Sequence, residues 1–310
     1  MAGKFINSCL NYTGGKYKLL PQIFPKFPKE INNFIDLFAG GGVVGINVAD
    51  RYDLMSETNK RFLLNDIEPH VIQLFKYMQS TSSELILQRL EALIREYHLS
   101  DTTTYGYEHY GVDSDKGVGS YNKEKFYRLR SDYNSGAFEK GDANIAFYLL
   151  LVYGFNNQIR FNSKGEYNLP VGKRDFNRNM KSKFLAFHQA ITSHNIEFRN
   201  DDFRNVTDIQ EGDFIYADPP YRITTASYNE NGGWGLQDDL DLFFYLDNVD
   251  EIGAKFALSN VSVHNSRGND ELLQWASRYN LHLMDYNYNN SNYQSKAKHS
   301  STIEVLITNY

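Results

Sequence analysis

The chain has 310 residues, of which 41% are hydrophobic, and a single cysteine, Cys9. One cysteine excludes an intrachain disulfide framework and a cysteine-rich zinc site, and no metal site is expected. No apolar stretch is as long as the roughly 18 residues of a membrane span, and the N-terminus lacks the apolar run of a signal peptide. We therefore expect a cytoplasmic protein with no membrane partner, built as one domain or one domain with an insertion.

The net charge of −6 is distributed unevenly along the chain. Residues 158–183 carry seven basic side chains against two acidic ones, whereas residues 235–251 carry six acidic side chains and no basic one. A local excess of positive charge is typical of a surface that binds a polyanion, even in an acidic protein.

The first clear unit is a strand, a glycine-rich turn and a helix. Residues 33–38 have the pattern of a buried strand, and Gly40, Gly42 and Gly45 follow in G-x-G-x-x-G spacing before a helix to residue 50. Glycines allow the backbone to approach a ligand closely, and a helix N-terminus favours negatively charged or polar groups. The pattern does not separate a dinucleotide from another adenosine-containing cofactor.

Residues 61–66 predict a second strand that ends at Asp66. In nucleotide-binding α/β folds, an acid at the tip of the second strand binds the ribose hydroxyls. The alternative for Asp66 is the N-cap of the helix predicted over residues 68–78.

A helical insertion is predicted next, with helices near residues 84–97, 123–132 and 143–155 and a long polar loop at 100–121. Residues 158–170 have the pattern of a hairpin around Ser163-Lys164-Gly165. A basic two-stranded ribbon can enter the major groove, where Arg160 could contact guanine. The alternative is a hairpin whose charges are simply solvated.

The sheet is predicted to resume at 196–198 and to continue with the apolar strand 214–217, which ends in Asp218-Pro219-Pro220-Tyr221. The prolines have fixed φ and no N–H group, so the turn presents rigid carbonyl oxygens beside a carboxylate. Such a turn fits a planar amino group, and Tyr221 can stack on the heterocycle that carries the amine. The alternative is a proline-terminated strand with a surface Asp and a packed Tyr.

In the remaining chain, helices and strands are again predicted to alternate. We predict a loop over the site at 222–235, a helix to 251, a strand at 255–259, a helix at 270–279 and strands at 281–286 and 302–308. Residues 296–299, Lys-Ala-Lys-His, could contact phosphates or form a charged turn.

Taken together, these segments resemble the Dam-type DNA adenine-N6 methyltransferases, the alpha group of the D12 class. The resemblance rests on Asn-Tyr-Thr-Gly-Gly-Lys at 11–16, Phe-Ala-Gly-Gly-Gly at 38–42, Asn65-Asp66, the hairpin and Asp-Pro-Pro-Tyr, and it spans nearly the whole chain. It implies a Rossmann-like α/β sheet that binds S-adenosylmethionine rather than NAD. It also implies a catalytic domain at 1–70 and 195–310, and an inserted, mainly helical target-recognition subdomain with a β-hairpin at 71–194.

The resemblance assigns roles to individual residues. Tyr12, Gly14, Gly15 and Lys16 would lie along the methionine part of the cofactor, Phe38, Gly40 and Gly42 under it, Asp66 at the ribose, and Asp202 and Phe203 beside the adenine. At the catalytic turn, Asp218 and the Pro219 carbonyl would hold the target amine, Pro220 would keep the turn rigid, and Tyr221 would stack on the flipped base.

The implied partners are double-stranded DNA and, functionally, a cognate restriction endonuclease. The predicted DNA contacts are Asn11, Gln158, Arg160, Asn162, Lys164, Pro170, Lys173 and Arg174. The members that methylate GATC typically have leucine at the position of Gln158 and lysine at that of Asn11. These two departures favour a different short target.

Other functions remain open at this point. The same grip on an amine would serve a cytosine-N4 or an RNA adenine methyltransferase, and the fold could also occur in a catalytically silent DNA-binding subunit. An NAD-dependent oxidoreductase would leave the Asp-Pro-Pro-Tyr turn without a role.

Overall fold

A computed structural model describes residues 4–12, 14–52, 60–224, 233–285 and 302–310. The chain divides into two compact units, each assembled from segments that are distant in sequence. The first unit contains Met1–Tyr17, Gly40–Asp50 and Glu68–Phe198, and the second contains Lys18–Ala39, Arg51–Ile67 and Arg199–Tyr310. The domain boundaries expected from the sequence, with an insertion at 71–194, stay a prediction.

Helices and strands alternate in the pattern of an α/β protein. The helices are α1 Leu20–Ile23, α2 Val43–Tyr52, α3 Pro69–Ser80, α4 Ser83–Glu96, α5 Thr102–Tyr105, α6 Gly119–Asn134, α7 Lys140–Tyr153, α8 Arg178–Ser193, α9 Leu236–Glu251 and α10 Asp270–Ala276. The strands are β1 Phe34–Asp36, β2 Phe62–Asn65, β3 Ile196–Arg199, β4 Phe214–Ala217, β5 Lys255–His264, β6 Arg267–Gly268, β7 Asn280–Met284 and β8 Thr302–Thr308.

The sheet has the order β3-β2-β1-β4-β5-β8-β7, and the short β6 pairs with β5. Strands β2, β1, β4 and β5 are parallel, whereas β8 runs antiparallel between β5 and β7. The chain re-enters the second unit at Arg199, the last residue of β3, whose carbonyl accepts a hydrogen bond from the Asp66 N–H at 3.1 Å. The order reverses between β1 and β4, so the ligand crevice is expected at their carboxyl ends.

The core of the second unit explains why its central strands are apolar runs rather than alternating patterns. Every residue of β1, β2 and β4 is buried, as expected for parallel strands covered on both faces. On one face, α9 and α10 pack together through Phe243 and Trp275, whose rings are stacked with centroids 4.6 Å apart. Both rings belong to one core cluster with Ile35 of β1, Leu63 of β2 and Ile215 of β4.

The first unit is helical and centres on α7, which is buried from Ile145 to its end at Tyr153. Helices α3, α4 and α6 each pack against α7. Sequence analysis missed α8, although its apolar residues Met180, Phe184, Phe187 and Ile191 recur at helical spacing and Asn177 caps its N-terminus.

The sequence predictions of fold class and of most elements are confirmed. Strand β5 extends five residues beyond its predicted end at Ser259 and reaches His264. The alternative role of Asp66 as a helix N-cap is wrong, because Glu68 caps α3 by accepting a hydrogen bond from His70 N–H at 3.1 Å. The segment 296–299 and most of the predicted loop 222–235 lie outside the described residues. Within the described part of the chain, no helix has the length and apolar character needed to cross a bilayer.

Asn65 tests how the strand ends are held in place. Its buried side-chain amide donates hydrogen bonds to the carbonyls of Leu37 at 3.1 Å and Asp201 at 3.0 Å. We expect Asn65→Ala to lower the free energy of unfolding by about 1–3 kcal/mol in urea denaturation, because it leaves two carbonyls without these donors. Asn280→Ala removes an exposed hydrogen bond to the Tyr310 carbonyl and should cost less than about 0.5 kcal/mol. Equal losses in the two variants would contradict this role of Asn65.

Candidate functional site

Three predicted site residues lie in one row at the carboxyl edge of the sheet. Asp36 is aligned with Leu64 on one side and Tyr216 on the other, and Phe38, Asp66 and Asp218 each follow two residues later. Two hydrogen bonds continue this register beyond the strands, from Leu37 N–H to the Tyr216 carbonyl at 3.0 Å and from Ala39 N–H to the Asn65 carbonyl at 2.8 Å. The register therefore brings an aromatic ring and two acids to the point where the strand order reverses.

The Asp-Pro-Pro-Tyr turn begins where β4 ends. The Tyr221 hydroxyl donates a hydrogen bond to Asp218 Oδ1 at 2.7 Å. Burial and the nearby Asp218 carboxylate hold the pKa of Tyr221 well above its usual value, so Tyr221 stays a neutral donor. Within β4 itself, the buried Tyr216 hydroxyl forms a hydrogen bond with Ser259 Oγ of β5 at 2.8 Å. The carboxylate is thus oriented from within its own turn.

Phe38 and Phe203 share an aromatic cluster with Trp234, which the sequence analysis did not single out. The Phe38 centroid lies 5.4 Å from those of both Phe203 and Trp234, and the Phe203 and Trp234 centroids are 5.7 Å apart. Flat apolar rings at a sheet's carboxyl edge form a surface on which a heterocycle can pack. The signal available in the sequence was the position of this tryptophan directly before Gly235, the N-cap residue of α9.

One buried carboxylate connects Trp234 to the segment that follows the Asp-Pro-Pro-Tyr turn. Asp239 Oδ1 accepts a hydrogen bond from Trp234 Nε1 at 2.7 Å, and its Oδ2 accepts one from Arg222 Nε at 2.7 Å. Arg222 directly follows Tyr221 and also pairs with Glu271 at 2.7 Å. Since the Asp239 side chain is only 2% exposed, loss of its partners would leave an uncompensated buried charge. The Asp239 carboxylate therefore holds both Trp234 and Arg222 in place.

A second cation orients the Asp202-Phe203 pair. Both carboxylate oxygens of Asp202 accept hydrogen bonds from Arg204 Nη1, at 3.2 and 3.1 Å, and the Arg204 guanidinium lies over the Phe203 ring at 4.5 Å. The same guanidinium bonds Asp238 at 2.6 Å and Asp241 at 2.8 Å on α9. Acidic residues that the sequence analysis treated only as local charge thus hold Arg204 in place.

In the first unit, the glycine-rich turn packs closely against Tyr12. A Cβ placed on Gly40 would lie 2.9 Å from the Tyr12 ring, and one on Gly41 would lie 2.9 Å from Tyr12 Cβ. Ser8 Oγ donates to the Gly41 carbonyl at 2.6 Å. The turn therefore needs glycine at both positions, and Tyr12 is placed by the backbone of the loop.

The other residues of the predicted N-terminal cofactor segment form a short turn. Gly15 N–H donates to the Tyr12 carbonyl at 3.2 Å, and the buried Lys16 ammonium lies 3.4 Å from the Gly14 carbonyl. Thr13 lies outside the described residues. The structure thus brings Tyr12, Gly40 and Gly41 together directly, with Gly14, Gly15 and Lys16 following in the turn.

The predicted hairpin is present but short, with a single antiparallel bridge between Phe161 and Tyr167. Its tip is closed by Asn162 Oδ1, which accepts from the N–H groups of Lys164 at 2.9 Å and Glu166 at 3.0 Å. Arg160 is exposed, and its Nε donates to Asn168 Oδ1 at 2.7 Å. Hydrogen bonds from polar side chains to backbone N–H groups take the place of further strand pairing in this hairpin.

The cationic residues around the hairpin remain at the surface. Of the eight predicted DNA contacts, Gln158 and Asn162 are half-buried, and the other six are exposed, namely Asn11, Arg160, Lys164, Pro170, Lys173 and Arg174. Of the two acids in this region, Asp175 is buried and accepts hydrogen bonds from Thr102 N–H at 2.7 Å and Ser100 Oγ at 3.2 Å. Burial raises the pKa of Asp175. Asp175 therefore contributes no exposed carboxylate to this surface.

The sheet order, the glycine turn after β1, the acid after β2 and the Asp-Pro-Pro-Tyr turn after β4 define an α/β protein of the methyltransferase class. A comparison with protein families makes this specific. The profile of the D12 class N6 adenine-specific DNA methyltransferases matches residues 12–290. The chain belongs to this family.

Individual relatives agree with the family match. The chain is 37% identical to modification methylase StsI of Streptococcus sanguinis and 37% identical to type II methyltransferase M.FokI of Planomicrobium okeanokoites, over 99% of this chain in both cases. It spans only 43% of the length of either relative. Against type II methyltransferase M1.LlaDCHI of Lactococcus lactis subsp. cremoris it is 27% identical, over 96% of this chain and 94% of that protein.

Gly40→Ala tests the close packing of Tyr12 on the glycine turn. Gly40 has φ +48°, and its added Cβ would collide with the ring, whereas Gly136 has φ +74° with nothing within 4 Å. Both alanine variants impose backbone strain of about 1 kcal/mol, but only Gly40→Ala adds the collision. We expect the larger loss of unfolding free energy in Gly40→Ala, and a partial recovery in Gly40→Ala/Tyr12→Ala. If the second substitution brings no recovery, the packing is not the cause.

Proposed function

We propose that this chain is a site-specific DNA methyltransferase that transfers a methyl group from S-adenosylmethionine to N6 of an adenine in a short duplex target. The observation that carries the proposal is the Asp218 carboxylate, oriented by Tyr221 at the carboxyl end of β4 and followed by two prolines. Membership in the adenine-specific family supports adenine over cytosine as the acceptor.

The chemistry follows from the groups in this turn. The lone pair of the adenine amine is delocalised into the ring, so the amine is a weak nucleophile. Asp218 and the Pro219 carbonyl accept hydrogen bonds from its two N–H groups, which favours a pyramidal nitrogen and directs the lone pair toward the methyl donor. Pro220 keeps the turn rigid, and Tyr221 packs against the base. No covalent enzyme intermediate is required, and the single cysteine, Cys9, is buried.

The cofactor is proposed from the chemistry of the residues present. The aromatic cluster of Phe38, Phe203 and Trp234 suits an adenine ring, and Asp66 is an acceptor for ribose hydroxyls. When bound, S-adenosylmethionine supplies an activated methyl group on a sulfonium. The proposed cofactor contacts are Tyr12, Gly14, Gly15, Lys16, Phe38, Gly40, Gly42, Asp66, Asp202 and Phe203.

Double-stranded DNA is the proposed substrate, with residues 71–194 acting as the target-recognition subdomain. The amine is inaccessible inside a duplex, so the adenine must be flipped at a cost of a few kcal/mol. Phosphate contacts from Lys173 and Arg174 would offset this cost without regard to sequence, while Gln158, Arg160 and Asn11 contact base edges. Asn162, Lys164 and Pro170 are the other residues of this region that are proposed to contact DNA. A cognate restriction endonuclease is the proposed functional partner.

Asp218→Ala separates catalysis from cofactor binding. We expect affinity for S-adenosylmethionine close to that of the parent protein, and a loss of methyl transfer of at least roughly 100-fold, because the amine loses a hydrogen-bond acceptor needed in the transition state. Binding is measured by calorimetry, and transfer by mass analysis of nucleosides from methylated plasmid DNA.

The same plasmid, sequenced for methylated adenines, gives the target sequence. Full activity of Asp218→Ala would refute the chemistry proposed for this turn. N4-methylcytosine as the product would establish cytosine as the acceptor, and a parent protein that binds no S-adenosylmethionine would overturn the proposed function.

Trp234→Ala tests the aromatic cluster. If the cluster packs on adenine, removing the indole should weaken S-adenosylmethionine binding about 3- to 10-fold, the usual contribution of an aromatic contact. Trp234→Phe keeps a ring and should lose less. Phe244→Ala removes a 68% exposed ring from α9 outside the cluster and should bind as the parent does. Unchanged affinity in Trp234→Ala would remove Trp234 from the cofactor contacts.

A further inference from the structure

Lys183 is a half-buried lysine of α8 whose charge is not neutralised by a carboxylate. Its Nζ donates to Asn11 Oδ1 at 2.8 Å, and among the residues the structure describes it has no acidic partner within 4.0 Å. Two residues earlier, Lys181 pairs with Glu91 at 3.3 Å. Partial burial lowers the pKa of Lys183. An ammonium that is partly desolvated without a counter-ion is costly, which points to a role in binding.

The Asn11 amide is oriented by a chain of hydrogen bonds that begins at the end of α7. Asn157 Nδ2 donates to the carbonyls of Leu151 at 2.8 Å and Val152 at 3.0 Å, so Asn157 must present its Oδ1 to the next group. Asn11 Nδ2 donates to that oxygen at 3.1 Å. Asn11 Oδ1 is therefore left as the acceptor, and a donor such as the Lys183 ammonium is the partner it requires.

This chain of bonds passes through Asn157, beside the hairpin that is proposed to contact DNA. Asn157 directly precedes Gln158, and it holds a left-handed backbone conformation with φ 52°. An ammonium has three donors, and Asn11 uses one of them. The remaining donors are carried on a side chain whose position is fixed, unlike the exposed Lys164 and Lys173. A fixed ammonium suits a base edge, whereas a mobile exposed lysine suits phosphates.

We propose that Lys183, positioned by Asn11, is a specificity-determining residue that donates to the O6 and N7 acceptors of one guanine in the recognised sequence. This inference rests on the proposed function. Lysine contacts to these two acceptors are among the commonest base-specific contacts in the major groove. The cation that reads this base then comes from α8 rather than from the N-terminal segment or the hairpin.

The test begins with the target sequence found in the plasmid, prepared as duplexes in which each guanine in turn is replaced by 7-deazaguanine. The parent protein should lose kcat/KM at one guanine when its N7 is removed. Lys183→Met should lose on the order of 10- to 100-fold on the natural duplex and become insensitive to 7-deazaguanine at that position. Lys76→Met removes an exposed lysine of α3 and should keep the parent's sensitivity.

A reciprocal exchange checks the geometry. Because Lys183 Nζ and Asn11 Oδ1 are 2.8 Å apart, the two side chains end at the same place. Asn11→Lys/Lys183→Asn should therefore recover activity and guanine sensitivity that Lys183→Asn alone loses. Thermal unfolding of each variant shows that it is folded.

Two results would overturn the inference. An equal loss on all DNA sequences, with a salt dependence reduced by about one phosphate contact, would make Lys183 a phosphate ligand. Unchanged discrimination in Lys183→Met would remove it from recognition altogether. In both cases the parent protein still methylates adenine, whereas failure of the proposed function would leave the parent without N6-methyladenine as a product.

Discussion

The candidate site depends on the parallel register of β2, β1 and β4. Because Asp36 is aligned with Leu64 and Tyr216, the residues two positions later on the three strands form one row at the carboxyl edge. A shift of one residue would reverse the side chains of a whole strand and disperse the row. Burial of both faces prevents such a shift, since every residue of the three strands is packed. Core packing therefore sets the geometry of the site.

Around this row, charged and polar residues orient the functional groups. Asp239 fixes Trp234 and Arg222, Arg204 fixes Asp202, and Tyr221 fixes Asp218. Each partner is itself bound by further groups, so little reorganisation is required when a ligand arrives. The acidic N-terminal half of α9 supplies much of this support, through Asp238, Asp239 and Asp241.

The parts predictable from sequence were those carried by local patterns. The apolar runs of β1, β2 and β4 and the proline pair after Asp218 indicate strands and where they end, so the row at the carboxyl edge could be expected. The helix α8 could have been found from its apolar spacing and Asn177. In contrast, Trp234, Asp239 and Lys183 gain their significance from partners that are distant in sequence, as the bond from Lys183 to Asn11 illustrates. No single-segment pattern reveals such pairs.

The chain's two tryptophans occupy very different surroundings. Trp275 is buried, stacked on Phe243 and bonded through Nε1 to Asp247 at 2.8 Å, whereas Trp234 is partly exposed beside Phe38 and Phe203. Indole emission responds to local polarity and to stacking, so the two tryptophans are intrinsic fluorophores that report on different regions of the protein. With Trp275→Phe the remaining signal observes the aromatic cluster, and with Trp234→Phe it observes the core, which makes ligand arrival and unfolding optically separable in one molecule.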